Sequence, residues 1–489
     1  MIAYDEGFYA LQARWILDKG NWIAPLWFDQ ITLDRTIGVQ FLIAISQKIF
    51  GENYFATFLP ITCASIIMLY LTYLIHKELL DNKFAIISPL ILITTYIWIN
   101  YANMANQDIL FAAAVTLGVF SSIKANRTKR NFYYLFCGAW IGIAFMFKTF
   151  LTCVPLLAIL PFIIQKKIIK NKLFWIGLFI GFLPFLVWTF KIINVYGFEI
   201  YNGLFEKLLF LSKKNIFTNP FYYYFWNLPL NIFPWTFLLI PGLINAFKLE
   251  NSVSKYFLFY YPLTILFFLS LFSTKTPYYP LQILSLFSIN IHLGISSILE
   301  KRNRFNFFIK FLNFQFLPLL IFITLLLLNL GFIDLNLRDI ETKIISLAFL
   351  SISIAWLSYN FLKSKKLKIL SILLGPYIFF IFIFQSGLIS DRTKDLRLAS
   401  ENLIKTENLN EKDIVTVTSG IKDDFSHAML VKILLQMPKI GDGIESIDNL
   451  RRNDYAWSTL SKENLDKQQD IILINDDNIF SPWKLVLKK

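Results

Sequence analysis

Histidine, cysteine and nucleotide-binding motifs are scarce or absent in this sequence of 489 residues. No GxxxxGK[ST] or other glycine-rich phosphate motif occurs, which argues against a nucleotide site of that kind. The three cysteines, Cys63, Cys137 and Cys153, lie in apolar runs, and we interpret them as small core residues and not as disulfides or ligands. None of the three histidines falls in the outer loops that precede the C-terminal tail, so a histidine-ligated zinc is not expected there.

Long runs without charged residues dominate the chain, of which 56% is hydrophobic. A helix needs about 20 apolar residues to cross the hydrocarbon core of a bilayer, and lipid offers no hydrogen-bond partner to an irregular backbone. The runs therefore predict an all-α polytopic membrane bundle of about 12 transmembrane helices. They cover residues 58–75, 84–107, 109–123, 132–147, 149–165, 173–190, 233–247, 256–274, 276–299, 311–333, 344–362 and 369–390.

The net charge of +14 comes largely from short basic turns between alternate runs. Lysine and arginine accumulate on the cytoplasmic side of membrane proteins and set their orientation. We therefore place these turns in the cytoplasm, and we interpret the charge as a topology signal and not as a nucleic-acid surface. The turns cover residues 76–83, 124–130, 166–172, 248–255, 301–310 and 363–368. The opposite turns, both terminal regions and the active face are then extracytoplasmic, in an inner (plasma) membrane protein.

Residues 1–55 predict an outer segment that does not cross the membrane. Apolar residues recur there at helical spacing, which is typical of an amphipathic helix lying on the bilayer surface. These residues are Phe8, Leu11, Trp15 and Ile16. Residues 37–50 predict a second interfacial helix of this kind.

The rest of the chain divides into two further regions. Residues 56–390 form the transmembrane bundle, with a long aromatic outer loop over 191–232. Residues 391–489 predict a small extracytoplasmic α/β domain. Its predicted strands cover 413–420 and 469–476, and its predicted helix covers 425–436.

Acidic, basic and tyrosine residues recur at the outer ends of separate spans and in the outer loops. Charges retained near a bilayer tend to line cavities and to pair. Acids with spaced cations are typical of a site that deprotonates one group and holds an anion elsewhere. We predict that they converge on one extracytoplasmic pocket, with Asp5, Glu6 and Asp108 as catalytic residues. The predicted substrate-binding residues are Asp34, Arg35, Lys148, Lys275, Tyr278 and Tyr279.

Each of these residues also has an ordinary structural interpretation. Asp5 and Asp108 could begin a helix, and Asp34–Arg35 could be a solvated surface pair. Lys148 and Lys275 could extend to lipid headgroups, and the tyrosines fit an aromatic belt. The sequence implies no definite cofactor, and carboxylate binding of a divalent cation stays open. An outer active face without a nucleotide site suggests that an activated substrate arrives attached to a lipid.

Six blocks of sequence, in order, resemble segments of the membrane glycosyltransferases with the GT-C fold. The resemblance is to the bacterial relatives of protein O-mannosyltransferases and of the lipid A aminoarabinose transferase. The blocks are YDEGFYALQARWILDKGNWIAPLW, TLDRTIGVQFLIAISQKIFG, NMANQDILFAAAVTLG, GIAFMFKTFLTCVPLLAILP, NPFYYYFWNLPLNIFPWTFLLIP and FSTKTPYYPLQILSLFSI.

The resemblance implies transfer of a sugar from a polyprenyl-phosphate donor to an extracytoplasmic acceptor, generally with inversion by a single displacement. It implies that Asp5 is the acid–base group and that Asp108 is the second acid. Arg35, Lys148 and Lys275 would handle the lipid phosphate. The acceptor could be a lipid, a glycan or a protein.

The sequence departs from the family pattern in several places. The family has one more span before the first outer loop, whereas this sequence starts just ahead of Asp5, so we expect a first helix to be missing. Arg35-Thr36 replaces the usual Lys-Pro, which keeps the charge but changes its geometry. Thr149-Phe150 replaces a frequent Gly-Pro. Asn215 and Thr218 lie where some relatives carry a histidine, so a zinc role is not carried over.

Two other classes of function stay open. A transporter or flippase places its charged residues near the membrane midplane and often at broken helices, whereas the charges here gather at outer ends. An inactive relative that scaffolds an assembly is the second alternative. Acceptor choice could lie in the loop over 191–232 or in the tail.

Overall fold

The computed structural model describes residues 5–28, 30–33, 35–80, 84–202, 218–300, 304–333, 339–466, 468 and 470–489, with the backbone alone at 5–6, 339 and 466. The chain divides into two compact units. The first comprises Met1–Pro60, Met104–Asn106 and Asp391–Lys489, and the second comprises Ile61–Asn103 and Gln107–Ser390.

Helical segments account for most of the described chain, and strands occur mainly near its C-terminal end. The helical segments are α1 (Asp5–Asp18), α2 (Gly38–Phe50), α3 (Tyr54–Leu80), α4 (Ile87–Ile93), α5 (Tyr96–Ala102), α6 (Gln107–Thr128), α7 (Asn131–Lys148), α8 (Cys153–Gln165), α9 (Lys172–Tyr196), α10 (Tyr223–Asn231), α11 (Thr236–Phe247), α12 (Ser252–Leu271), α13 (Tyr279–Glu300), α14 (Arg304–Asn329), α15 (Asp339–Ser358), α16 (Lys365–Gln385), α17 (Lys394–Thr406), α18 (Asp424–Leu434) and α19 (Lys462–Asp466). The strands are β1 (Leu26–Trp27), β2 (Gln30–Ile31), β3 (Ile414–Val417), β4 (Ile440–Ile444), β5 (Tyr455–Ser458), β6 (Ile471–Asn475) and β7 (Lys484–Lys488).

The second unit is a bundle of long apolar helices, which confirms the predicted membrane fold. Within the described ranges, nine helical segments are long and apolar enough to cross a membrane, and α10 with α11 could make a tenth. Many large apolar side chains on these helices are exposed, as on the lipid-facing surface of a bundle. The number of candidates is lower than the predicted number of spans.

One reason for the lower number is that residues 84–107 do not form the single predicted helix. They form α4 and α5, which are separated at Thr94–Thr95. The freed backbone groups have partners near the start of α11. The Tyr96 N–H donates to the Phe233 carbonyl at 3.0 Å, and Trp235 Nε1 donates to the Thr94 carbonyl at 3.2 Å. Such partners make a broken helix tolerable at membrane depth.

A second reason is that α7 and α8 adjoin as one apolar segment, Asn131–Gln165. The backbone breaks at Thr149, where φ is 32°. Glycines let α7 and α9 approach closely, since a Cβ at Gly138 would meet Phe174 and a Cβ at Gly142 would meet Gly181. Residue numbers increase in the same direction along the two contacting helices, so α7 and α9 are parallel. The chain must therefore return between them, and we interpret α8 as that return.

The predicted outer loop over residues 191–232 is partly helical. Helix α9 continues to Tyr196, and α10 lies at 112° to α11. Residues 203–217 of this region lie outside the described residues. Large aromatic side chains around α10 are exposed, including Phe225 at 89%.

The first unit contains the predicted α/β domain of the tail. Its five-stranded sheet has the order β4-β3-β5-β7-β6, with β3 parallel to β4 and β5, and β7 antiparallel to β5 and β6. Strands β3 and β6 and helix α18 confirm the predicted elements. The sequence interpretation missed β4, β5, β7, α17 and α19.

The N-terminal helices are also present, but α1 does not present its apolar face as predicted. Leu11 and Trp15 of α1 are buried in one core with Leu430 and Trp457 of the tail domain. The predicted lipid-facing placement of this stripe is therefore wrong, because an amphipathic helix can bury the same face against protein. Helix α2 matches the second predicted helix, whose interfacial position stays a prediction.

Candidate active site

Asp108 and Lys148 form a buried ion pair in the second unit. Asp108 lies in the first turn of α6, and Lys148 is the last residue of α7. Each charge thus sits at the helix end whose dipole it complements. The side chains are 4% and 7% exposed, respectively. Since a buried charge needs a partner, each residue provides the partner that the other requires.

The Lys148 ammonium also faces two tyrosine rings at the start of α13. Its nitrogen lies 4.5 Å from the ring centroid of Tyr278 and 5.3 Å from that of Tyr279, where a cation is attracted to an aromatic face. Tyr101 of α5 packs against Tyr278, with ring centroids 5.3 Å apart. The structure therefore brings together Asp108, Lys148, Tyr278 and Tyr279, four of the predicted site residues. We call these four residues the ion-pair cluster.

The ion-pair cluster is better suited to holding a bound molecule in position than to accepting a proton. The Asp108 carboxylate already faces an ammonium, so its charge is compensated. The same contact reduces the net field that Lys148 offers to an anion. The catalytic role of Asp108 stays a prediction.

Lys275 lies in the turn between α12 and α13, and its partners are of a different kind. Its ammonium donates to the carbonyl oxygen of Asn219 at 2.7 Å and to that of Phe272 at 2.5 Å. The residue is 4% exposed. Burial lowers the pKa of this ammonium below its usual value, while the two carbonyl dipoles stabilise its charged form. Backbone groups thus replace the water that this cation would otherwise bind.

The remaining predicted residues belong to the first unit. Asp5 and Glu6 begin α1, but their side chains are not among the described atoms, and Asp34 lies outside the described residues. The Arg35 guanidinium donates a hydrogen bond to the Tyr9 hydroxyl and lies 5.1 Å from that ring's centroid. Tyr9 follows Asp5 by one helical turn, so Arg35 lies beside the first turns of α1.

Buried amides join the two N-terminal helices, α1 and α2. Gln40 of α2 donates to Gln12 of α1 at 2.8 Å, and both residues are almost fully buried. A hydrogen bond in such surroundings is costly to break. Helix α2, which follows Arg35 in the chain, is therefore fixed against α1.

The predicted convergence of all these residues on one pocket stays a prediction, because they are divided between the two units. Within the described part of the chain, no three histidine, cysteine, aspartate or glutamate residues are grouped as a metal site would require. The side chains of Asp5, Glu6 and Asp34 lie outside that part of the chain.

Three residues that contact the predicted ones were missed from the sequence: Tyr9, Tyr101 and Asn219. Tyr9 had a usable signal, since it lies one turn after Asp5 on the same helix. Tyr101 and Asn219 are distant in sequence from their partners Tyr278 and Lys275, and no local pattern indicates such pairs.

Comparisons with known proteins find that the chain is similar to glycosyltransferases in part of its sequence and in its fold. The dolichyl-phosphate-mannose-protein mannosyltransferase family matches residues 34–189. ArnT from Cupriavidus metallidurans, solved with bound undecaprenyl phosphate, superposes with a TM-score of 0.79 at 13% identity, covering 100% of this chain and 94% of that one. Its apo structure gives 0.75 at 13% identity, with 100% and 93% covered. The chain therefore has the GT-C fold.

In sequence, the chain is similar to undecaprenyl phosphate-alpha-4-amino-4-deoxy-L-arabinose arabinosyl transferases. The protein from Photorhabdus laumondii is 28% identical over 286 residues, which are 56% of this chain and 52% of that protein. The protein from Yersinia pestis is 24% identical over 298 residues, covering 58% and 53%. The match thus spans about half the length of these relatives.

Proposed function

We propose that this chain is an inverting glycosyltransferase that moves a sugar from a polyprenyl-phosphate carrier to an extracytoplasmic acceptor. One observation carries the proposal: over its whole length the chain has the fold of a protein that was solved with undecaprenyl phosphate bound. The similarity to arabinosyl transferases that use an undecaprenyl-phosphate sugar supports the same donor class. The acceptor is left as a lipid, a glycan or a protein.

In the proposed reaction an acceptor hydroxyl attacks the anomeric carbon of the donor sugar. The bond from that carbon to the phosphate oxygen breaks, and polyprenyl phosphate leaves with the bonding electrons. Asp5, assisted by Glu6, takes the proton of the attacking hydroxyl. A carboxylate that acts in this way must be able to accept a proton, which makes the ion-paired Asp108 a weaker candidate for the role.

The charge that grows on the leaving phosphate needs a fixed positive group. Arg35 is the proposed group, because its guanidinium is held beside the first turns of α1, the helix that begins with Asp5. Asp34 precedes it and is proposed to contact the sugar. Lys148, Tyr278 and Tyr279 are proposed to hold the donor through the rigid ion-pair cluster. Lys275 is omitted here because its ammonium already bonds two carbonyl oxygens.

The test is sugar transfer by the protein in proteoliposomes, with a radiolabelled sugar on polyprenyl phosphate and cell-envelope material as acceptor. Asp5→Asn should abolish transfer and leave expression unchanged. Asp18→Asn, at the other end of the same helix, is the matched control and should retain it. Undiminished transfer by Asp5→Asn would refute the role of that residue.

The two alternative classes give different results in the same experiment. A flippase would move the labelled lipid between leaflets without transferring its sugar. An inactive scaffold would do neither, although it would be correctly inserted. Either outcome in the unmodified chain would reject the proposed activity.

A further inference from the structure

Lys275 is a buried cation whose described partners are all backbone oxygens. A lysine ammonium has three N–H donors, and two of these are directed at the carbonyls of Asn219 and Phe272. None of its bonding partners in the described part of the chain is a carboxylate. To bind this ammonium, an anion would have to accept a hydrogen bond from its one remaining N–H or displace one of the two carbonyl oxygens.

The carbonyl of Asn219 belongs to a segment that is otherwise bonded to the same turn. We call residues 218–224 the outer strap and residues 272–279 the tyrosine turn. Thr218 and Thr274 form an antiparallel bridge, and the Asn219 N–H donates to the Ser273 carbonyl at 3.3 Å. Asn219 Nδ2 donates to the Lys275 carbonyl at 3.1 Å.

A further bond continues this contact into α10. The Tyr224 hydroxyl donates to the Thr276 carbonyl at 3.1 Å, and both residues are buried. The outer strap is thus bonded to the tyrosine turn from Thr218 to Tyr224. Among these bonds between described residues, the charged donor is Lys275, and hydrogen bonds from charged donors are stronger than neutral ones.

The tyrosine turn carries two members of the ion-pair cluster. Tyr278 and Tyr279 follow Lys275 closely in the chain, and their rings face the Lys148 ammonium. Any movement of this turn would therefore move the aromatic faces that surround Lys148. The outer strap, for its part, lies in the predicted outer loop over 191–232 and leads into α10.

We infer that Lys275 is a positioning residue: it fastens the outer strap to the tyrosine turn and so holds Tyr278 and Tyr279 against Lys148. This inference rests on the proposed function for its activity readout only. It differs from the sequence-based expectation, in which the ammonium binds the donor phosphate directly. The two roles predict different responses to a replacement crosslink.

The first measurement compares Lys275→Met, which keeps most of the stem but has no donor, with Lys275→Arg, which keeps charge and donors. Lys191→Met, at an exposed lysine of α9, is the matched control. Lys275→Met should lower kcat by about 10- to 100-fold, since small misplacements in an active site have effects of that size. The donor KM should rise as well, because Tyr278 and Tyr279 are proposed to hold the donor, and Lys275→Arg should recover most of both changes.

The second measurement does not depend on activity. Hydrogen exchange at the Asn219 amide should become at least about tenfold faster in Lys275→Met, because local opening exposes an amide that is otherwise bonded. Lys191→Met should leave this rate unchanged. Unchanged exchange in Lys275→Met would overturn the inference even if transfer were lost.

A disulfide between the outer strap and the tyrosine turn would hold the two segments together in Lys275→Met without restoring the charge of the lysine. Facing residues of an antiparallel pair have Cα atoms about 4.5–5.5 Å apart, which suits a disulfide. Thr218→Cys with Thr274→Cys should therefore crosslink the strap to the turn. In a background with Cys63 and Cys153 replaced by alanine, this pair should restore transfer to Lys275→Met when oxidised and not when reduced.

The outcomes separate the two roles. A rise in donor KM with no rescue by the crosslink would show that the ammonium acts on the phosphate and would overturn the inference. If the unmodified chain transfers no sugar, the proposed function fails, while exchange at Asn219 still decides whether Lys275 fastens the strap. If Lys275→Met does not fold, the crosslinked form of the same variant should fold, and failure of both together would contradict the positioning role.

Discussion

Removal of one partner from the Asp108–Lys148 ion pair should strongly destabilise the bundle. Both side chains are less than a tenth exposed, so Lys148→Met leaves a carboxylate buried without its cation, and Asp108→Asn leaves the ammonium. Breaking a buried pair in this way costs about 3–5 kcal/mol. Lys148→Met also removes the cation from the face of Tyr278, an attraction of about 1–2 kcal/mol that is included in this total.

The double variant Asp108→Asn/Lys148→Met should cost much less than the sum of the two single changes. It leaves no buried charge, and replacing a buried pair with neutral groups is often close to neutral in stability. The coupling energy between the two positions should therefore be on the order of 2 kcal/mol or more. The double variant should therefore be more stable than the sum of the two single losses predicts.

The assay is unfolding of the protein in lipid nanodiscs, followed by tryptophan fluorescence. Lys365 and Glu300 provide the matched control, since their ammonium and carboxylate lie 2.6 Å apart but the side chains are 53% and 58% exposed. Lys365→Met should cost less than about 1 kcal/mol, as exposed pairs do. Equal losses for Lys148→Met and Lys365→Met, or additive effects in the double variant, would refute the reasoning.

Two further predictions concern packing and pH. Gly142→Val should separate α7 from α9 and lower the free energy of unfolding by at least about 1–3 kcal/mol, because its side chain would meet the backbone at Gly181. Leu183→Val, on the exposed face of α9, is the control. Equal stability of the two variants in thermal unfolding would contradict the close approach of the helices. Burial lowers the pKa of the His427 imidazole below its ordinary value of 6.5, so the unfolded chain binds the proton more readily than the folded one. The contribution of this histidine is then complete above pH 6.5 and shrinks as the pH falls below it. Acidification should therefore speed hydrogen exchange in β3 more in the unmodified protein than in His427→Gln, and equal pH dependence of the two would contradict the assignment.

The membrane-spanning character of the chain was predictable, because long apolar runs admit few other structures. The break at Thr94–Thr95 was not, since neither proline nor glycine occurs at these two positions and the proline of this segment, Pro89, lies inside α4. Its stability depends on Phe233 and Trp235, which are distant in sequence and offer bonds to the freed backbone groups. A local pattern can indicate that a segment is apolar, but not that a neighbour allows it to break.

The same limit applies to the candidate site. Asp108, Lys148, Tyr278 and Tyr279 are among the predicted site residues, and the structure brings these four together. Sequence position and topology did not indicate that Asp108 and Lys148 bind each other, because an acid that accepts a proton and an acid that pairs with lysine look alike in sequence. Partner choice is a property of tertiary packing, and it decides between these two chemical roles.

The burial of α1 bears on what the tail domain does. The helix that begins with Asp5 has Leu11 and Trp15 in the core of that domain, with 0% and 2% exposed. Arg14 of the same helix donates to the carbonyls of Met437 and Pro438 at 3.0 and 2.8 Å. A helix held on its apolar face and by a charged side chain has little freedom to rotate. The tail domain therefore fixes the orientation of α1, and this role follows from contacts within the first unit whether or not the domain also selects the acceptor.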